Sequence, residues 1–452
     1  MYISENSAAP SEPRYFLRKK VYFYLTLAVI ATTLISWFNV NSWCIILLLL
    51  CRLWDGPPRT AIRQAFTNKY FLAFFSIFAL EALGLLYTHN YHIAYGHIEG
   101  KATLVAIPFV LCAGPFTDKA GRRRLLSAYC LLLFILCMYC LFMAVRHYSL
   151  VKDPSVFYYH ILTEVIGVNA VFYSGYVLIA LLFLLSHPLY FGNDPATRLP
   201  DQGPGPASFP RPGDRFLRIA RIFLIIFFTG MMILLSSKLL LIFLVLLLIS
   251  FLLGRRSIKM NPAPFLGLGL LLLIGTVMLI CTDNPVVRRY KDIGNGDIGL
   301  FKRDSFPSGT VYNGLSLRLV IWKYSYEILN EKKAWVIGVT SGDSQHLLND
   351  KYINAGMSQG YLGYNFHNQY IEEAVRSGLI GLGVFLVACG MLIVLAREIG
   401  TREAWFTVIM VLLLYLTESM LEMQHPTFFS CFFPLLLLQE RTSPGDARIF
   451  DR

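Results

Sequence analysis

The chain has 452 residues, 56% of them hydrophobic and 15% charged, with a formal net charge of +12. A soluble domain carries roughly a quarter charged residues, so a soluble fold is excluded, and a transmembrane β-barrel would show short alternating segments in place of long apolar runs. The positive charge invites a nucleic-acid reading, which its placement along the chain argues against.

Apolar runs recur at roughly 21–37, 39–54, 70–87, 102–116, 125–145, 171–188, 216–235, 239–253, 262–281, 377–396, 405–421 and 426–438. The pattern predicts an all-α polytopic membrane protein of about 12 transmembrane helices with one large loop, each run being matched to ~30 Å of hydrocarbon. Residues 1–20 are polar, and the first apolar run lacks a small-x-small cleavage site. That run reads as the first span and not as a cleaved signal. Basic residues gather at 14–20, 52–69, 119–124, 198–221, 255–259, 397–402 and 441–452, all on one side of this topology. The short loops of the other side hold only Lys101, Arg146, Lys152 and Lys238. This positive-inside bias puts both termini in the cytoplasm and the segment 282–376 outside. Orientation then accounts for the basic patches without nucleic acid.

Three regions follow: 1–281 with nine spans, the large outer loop 282–376, and 377–452 with three spans and a cytoplasmic tail. Gly192–Pro212 is rich in Pro, Gly and Asp and reads as a flexible linker. Cys44, Cys51, Cys112, Cys130, Cys137, Cys140, Cys389 and Cys431 lie inside predicted spans, and Cys281 lies at a span end. Cys137-x-x-Cys140 in an apolar helix reads as two small packing residues, and the loop has no further cysteine from which to build a disulfide framework. Within the loop, Asn295–Gly314 and Gly338–Gly363 are Gly-rich coil. Between them, Ser316–Lys332 carries Leu317, Ile321, Tyr324 and Ile328 at helical spacing, with Arg318 and Trp322 on another face. A further helix starts near His367, with Glu372 and Glu373 in its first turns, where acidic residues favour the helix dipole. It runs on into the span Leu379–Leu395.

Ionisable residues within spans are costly and face the protein interior. Glu81 lies mid-span, Glu418 and Glu422 lie four apart near the outer end of a span, Lys101 starts a span beside Glu99, and Lys238 closes the outer turn Ser236-Ser237-Lys238. Each has a purely structural reading. Lys101 and Lys238 can snorkel to the interface, Glu81 can be a neutral hydrogen-bonded carboxyl, and Glu418 and Glu422 can pair with Lys or Arg. Arg318 can be solvated surface and His367 a helix cap. Glu81 lies deeper, and the convergence of the others on the outer membrane face points further. Cations at that depth suit an anionic headgroup, and guanidinium offers phosphate two parallel hydrogen bonds. No His-x-x-x-His, Cys-rich or paired-Asp ligand motif appears outside, and the P-loop and dinucleotide signatures are absent.

Leu315-x-Leu317-Arg318-x-x-x-Trp322 on the loop helix, and His367-Asn368-Gln369-Tyr370 followed by Gly378-Leu379-Ile380-Gly381, resemble the O-antigen ligase/polymerase superfamily of bacterial membrane glycosyltransferases over roughly 216–396. Glu99-x-Lys101-x-Thr103-Leu104 with Pro108, His160-x-Leu162-Thr163 with Tyr173-Ser174, and Leu416-Thr417-Glu418-Ser419-x-Leu421-Glu422 are similar to patterns in Gram-negative members. Two positions depart from the family: Lys238 stands where Ser-Arg is common, and Asn169 stands where a histidine is expected.

The resemblance implies a GT-C-like fold in the bacterial inner membrane and an inverting, metal-independent transfer without cofactor. The donor would be a glycan on undecaprenyl diphosphate. The acceptor would be a sugar hydroxyl of lipid A–core for a ligase, or another lipid-linked glycan for a repeat-unit polymerase. A flippase or transporter is the reading from a different class. Catalytic roles fall to His367 as base or acceptor-orienting group, to Arg318, and to Glu418, with Glu164 as a further candidate base. Lys238, Arg318, Lys101, Trp322, Asn368 and Tyr370 would contact the diphosphate or glycan.

Overall fold

A computed structural model describes residues 12–54, 56–113, 117, 119–191, 212–253, 298–307 and 309–440. The expected span at 262–281, the linker 192–211, the opening of the loop at 282–297 and the tail from 441 lie outside these residues. Every regular element among them is helical. Lys119–Val151, Arg215–Leu235 and Gln369–Ile399 are long and apolar enough to cross a membrane. Two bent pairs each supply another if counted as one span, Phe38–Trp54 with Pro58–Thr67 and Tyr159–Ile166 with Ala170–Ser186, the latter bent by 84°. By length and composition the described helices therefore do not reach twelve spans. Several expected spans are shortened where polar residues intervene: Thr103–Cys112 begins just after Lys101, and Arg402–Thr417 ends just before Glu418.

The helix Gln369–Ile399 packs along Lys69–Gly84 and Arg402–Thr417, while Gln424–Leu436 lies beside Thr103–Cys112. Ala170–Ser186 is buried along nearly its whole length, and Pro212–Leu235 packs on it. Cys137 and Cys140 are free and buried, with Cys137 Sγ 3.6 Å from the Tyr173 hydroxyl, so they pack as small side chains. Asn169, the departure from the expected histidine, caps Ala170–Ser186 by accepting the Val171 N–H.

The helix Gln369–Ile399 is not continuous. Gly378 has φ 67° and ψ −164°, so one residue interrupts the helical path. Inside an apolar bundle, backbone groups freed by such a break must find partners. The turn segment Trp335–Thr340 supplies them. Val339 and Thr340 donate N–H to the Val375 and Arg376 carbonyls at 2.8 and 2.9 Å, and Leu379 and Ile380 donate to Trp335 and Val336. The approach is close enough that a Cβ on Gly378 would overlap the Val336 carbonyl, and one on Gly338 would overlap Arg376. Both glycines also have positive φ, a conformation that only glycine adopts without strain. The Gly378-Leu379-Ile380-Gly381 motif is thus a docking joint between the polar segment and a membrane helix.

The polar segment has a hydrophobic core of its own. Leu317, Val320, Ile321, Tyr324 and Ile328 meet Leu348, Tyr352, Phe366 and Val375 in a cluster separate from that of the bundle. The helix expected over Ser316–Lys332 forms over Gly314–Glu331, started by a capping box in which Asn313 accepts the Leu315 and Ser316 N–H groups and Ser316 Oγ accepts the Asn313 N–H. A further helix, Ser341–Asn354, arises within the stretch read as coil and packs on Tyr91–Lys101. Asp343 fastens it by accepting the His89 N–H at 2.9 Å and the Asn90 side chain at 2.6 Å. Burial pushes the Asp343 carboxyl up, but these hydrogen bonds outweigh it and hold the group below the usual carboxylate range. Gly378→Ala is expected to lower the melting temperature of the detergent-solubilised protein, since the left-handed backbone alone costs about 1–3 kcal/mol for a non-glycine residue. An unchanged melting temperature would refute the joint.

Candidate functional site

The N-terminal turn of Gly314–Glu331, the end of the loop at His367, and the turn after Arg402–Thr417 meet at one place. Arg318 Nη1 donates to the Gly314 carbonyl at 2.9 Å, and Nη2 donates to the Thr417 carbonyl at 2.9 Å and to Glu418 Oε1 at 3.0 Å. The other Glu418 oxygen lies 3.5 Å from His367 Nδ1. One carboxylate therefore bridges a guanidinium and an imidazole. Its side chain is 9% exposed, against 27% for Arg318 and 26% for His367, so the acid is covered while the two bases reach the surface.

His367 holds this position at φ 48°, left-handed for a non-glycine residue. Backbone strain of this kind gathers at functional sites. Its N–H donates to the Asn365 side chain, while Nδ1 is buried and makes no hydrogen bond among the described residues, Glu418 being its neighbour at 3.5 Å. Trp322, one turn beyond Arg318, donates its indole N–H to the Phe366 carbonyl at 3.1 Å and so pins the residue before His367. Asn368 caps Gln369–Ile399 by accepting the Tyr370 and Ile371 N–H groups. Tyr370 turns into the bundle, its hydroxyl 3.4 Å from the Leu412 carbonyl and its ring against Phe385. These contacts give Trp322, Asn368 and Tyr370 structural tasks where substrate contact was expected.

Lys101 differs most from expectation. It is not a cation at the interface but is fully buried, with Nζ 2.8 Å from Glu81 and 3.7 Å from Glu373. Glu81, read as a neutral carboxyl, is the partner in that ion pair. Glu418 and Glu422 do not share a helix face, because the helix stops at Thr417. Glu422 instead meets Arg376 Nη2 at 2.6 and 2.7 Å and His97 Nδ1 at 3.2 Å. Burial, followed by the nearby Arg376 charge, pushes His97 down to about 4, so at neutral pH Glu422 faces a neutral imidazole. Arg376 also contacts Glu372 at 2.7 Å.

Lys238 opens the helix Lys238–Leu253 behind a tight turn in which Ser236 has φ 43°. Glu164 lies on an exposed turn and borders a separate cavity of about 350 Å³ with Arg146 and His147. Two residues escaped the sequence reading. Gln369 donates to Glu373 at 2.8 Å and accepts the Leu421 N–H at 2.7 Å, tying the start of one helix to the turn that carries Glu418. Arg376, the last residue of the loop 282–376, was given no role, although an arginine so close to an apolar span is itself a signal.

A family model described as O-antigen ligase matches residues 222–386. The matched window contains Lys238, Arg318, His367 and the Gly378 joint, and stops short of Glu418. A search of curated proteins returned no match. Lys101→Ala is expected to destabilise the fold by about 3–5 kcal/mol, because it leaves Glu81 buried without its partner. A variant with wild-type melting temperature but weakened donor binding would return Lys101 to the substrate.

Proposed function

We propose that the chain, whose residues 222–386 match a family model described as O-antigen ligase, is a ligase of that superfamily, moving a glycan from undecaprenyl diphosphate to a sugar hydroxyl of lipid A–core at the periplasmic face. The Glu418 bridge between Arg318 and His367 is the observation that carries this reading. The acceptor hydroxyl attacks the anomeric carbon of the donor from the face opposite the diphosphate. The bond from that carbon to the phosphate oxygen breaks, the configuration inverts, and undecaprenyl diphosphate leaves with the bonding electron pair. The hydroxyl proton passes to His367.

Each residue of the bridge has a task in this scheme. With Nδ1 turned towards Glu418, His367 offers Nε2 to the acceptor, and the carboxylate stabilises the imidazolium that forms. The 3.5 Å separation tightens when substrate arrives, as catalytic contacts often do. Arg318 holds Glu418 in place and sets positive charge where the departing diphosphate develops negative charge. Lys238 adds a second cation, as a point charge without the fork of arginine. The leaving group is a stable anion, so the scheme needs no metal.

Transfer from a synthetic undecaprenyl-diphosphate glycan, with lipid A–core and a lipid-linked glycan offered together, tests the reading. Product on lipid A–core supports the ligase, and elongated lipid-linked glycan alone assigns the chain to the polymerase branch. His367→Ala is expected to lower kcat by about 10²–10⁴-fold without loss of folded protein. Arg318→Lys should lose about 10²-fold or more, since one ammonium cannot replace the guanidinium across Gly314, Thr417 and Glu418 while facing an anion. Full activity in either variant removes that residue from the scheme. EDTA is expected to leave the rate unchanged, and inhibition reversed by added divalent ion would overturn the metal-free step.

A further inference from the structure

His367 stands at the end of a row of aromatic rings. Tyr364 meets it at a centroid distance of 5.7 Å, Tyr361 meets Tyr364 at 5.7 Å, and Tyr312 meets Tyr361 at 5.0 Å. Phe306, buried in the core of the polar segment, closes the row behind Tyr312 at 5.3 Å. Successive planes stand at 75–81° along the three tyrosine and histidine contacts. Neighbouring rings therefore meet edge to face. A pyranose ring has an apolar C–H face that packs on an aromatic ring and hydroxyl edges that hydrogen-bond to a polar tip.

The row is built to stay in place. Asn349 accepts the Gly363 N–H at 2.9 Å, while Gln345 and the Tyr352 hydroxyl both donate to the Tyr364 carbonyl at 3.1 Å. These contacts fasten the loop to the helix Ser341–Asn354 and limit the entropy lost when a ligand binds. Tyr364 is 41% exposed, with Leu362 beside it at 38%. The Tyr361 and Tyr364 hydroxyls donate to no group among the described residues. An aromatic ring with a free polar tip suits a surface that is apolar on one side and wet on the other.

We propose that Tyr364 and Tyr361 hold successive sugar rings of the accepting glycan and lead its terminal hydroxyl to His367, with Tyr312 packed behind them on the core of the segment. The proposal rests on the reading of His367 as the group that meets the acceptor. Continuity with His367 selects the acceptor over the donor glycan, because the ring next to the base belongs to the sugar whose hydroxyl it deprotonates. Tyr364 takes the ring nearest the reaction, and Tyr361 takes the next ring along the chain.

The test uses the full-length protein in nanodiscs and, as probe, the delipidated core oligosaccharide released from lipopolysaccharide by mild acid. Wild type should bind the probe in saturation-transfer NMR and calorimetry. Tyr364→Ala should bind about tenfold more weakly, equivalent to about 1.4 kcal/mol, while Tyr364→Phe keeps most of the affinity and both variants keep the wild-type melting temperature. In transfer assays Tyr364→Ala should raise KM for the acceptor and leave KM for the undecaprenyl-diphosphate donor unchanged. Equal probe affinity in wild type and Tyr364→Ala overturns the proposal, and so does a rise in donor KM alone. Tyrosine-dependent binding by a protein that transfers no sugar would sink the ligase reading and leave the glycan row standing.

Discussion

Arg376 and Lys101 lie inside the protein with almost no solvent contact, and the surrounding architecture answers to that burial. A charge removed from water costs several kcal/mol unless close partners compensate for it. Lys101 has Glu81 and Glu373; Arg376 has Glu372 and Glu422. The two cations and their partners come from four places in the chain: the helix Lys69–Gly84, the end of Tyr91–Lys101, the start of Gln369–Ile399 and the turn before Gln424–Leu436. Hydrophobic packing alone would let such helices slide, because apolar contact is not directional. Paired charges at fixed positions prevent this, so the membrane helices meet in one register.

That register reaches the candidate site through short links. Glu373 binds Gln369, and Gln369 accepts the N–H of Leu421, three residues beyond Glu418. Glu422, four residues beyond Glu418, is held by Arg376. The turn carrying Glu418 is therefore fixed at its far end by the buried network, and at its near end by Arg318 through the Thr417 carbonyl. His367 lies directly before the same helix start. Few residues separate the buried ion pairs from the candidate site here, and the two sets share a backbone.

The sequence disclosed the membrane class, the helix around Arg318, and three residues that the structure brings together, Arg318, His367 and Glu418. Those features rest on composition, 3.6-residue periodicity and local motifs, which one chain segment carries alone. It disclosed less about roles that depend on distant partners. Lys101 and Lys238 looked alike as cations beside outer turns, and only packing separates a buried ion pair from the first residue of a helix. Glu418 and Glu422 looked like one face because their spacing fits a helix; the helix ends at Thr417, and the two carboxylates take different partners. Asn368 and Tyr370 stood inside a motif that pointed to substrate, yet their contacts are a helix cap and a packed ring. Gly378 was legible as part of a pattern, while the reason for glycine lies in a segment about 40 residues earlier whose backbone it receives.

The joint at Gly378 also governs the order in which the protein can be completed. Trp335–Thr340 leaves the ribosome well before residues 375–380, and until those residues arrive its backbone partners do not exist. The helical core around Tyr324 can condense early, but its attachment must wait for the next membrane helix to be inserted and broken at the right residue. A chimera that exchanges the polar segment between relatives at residue 368, the natural-looking boundary, would bring one half of a lock to another chain's key. The transferable unit extends to Gly381, inside the bilayer-facing helix.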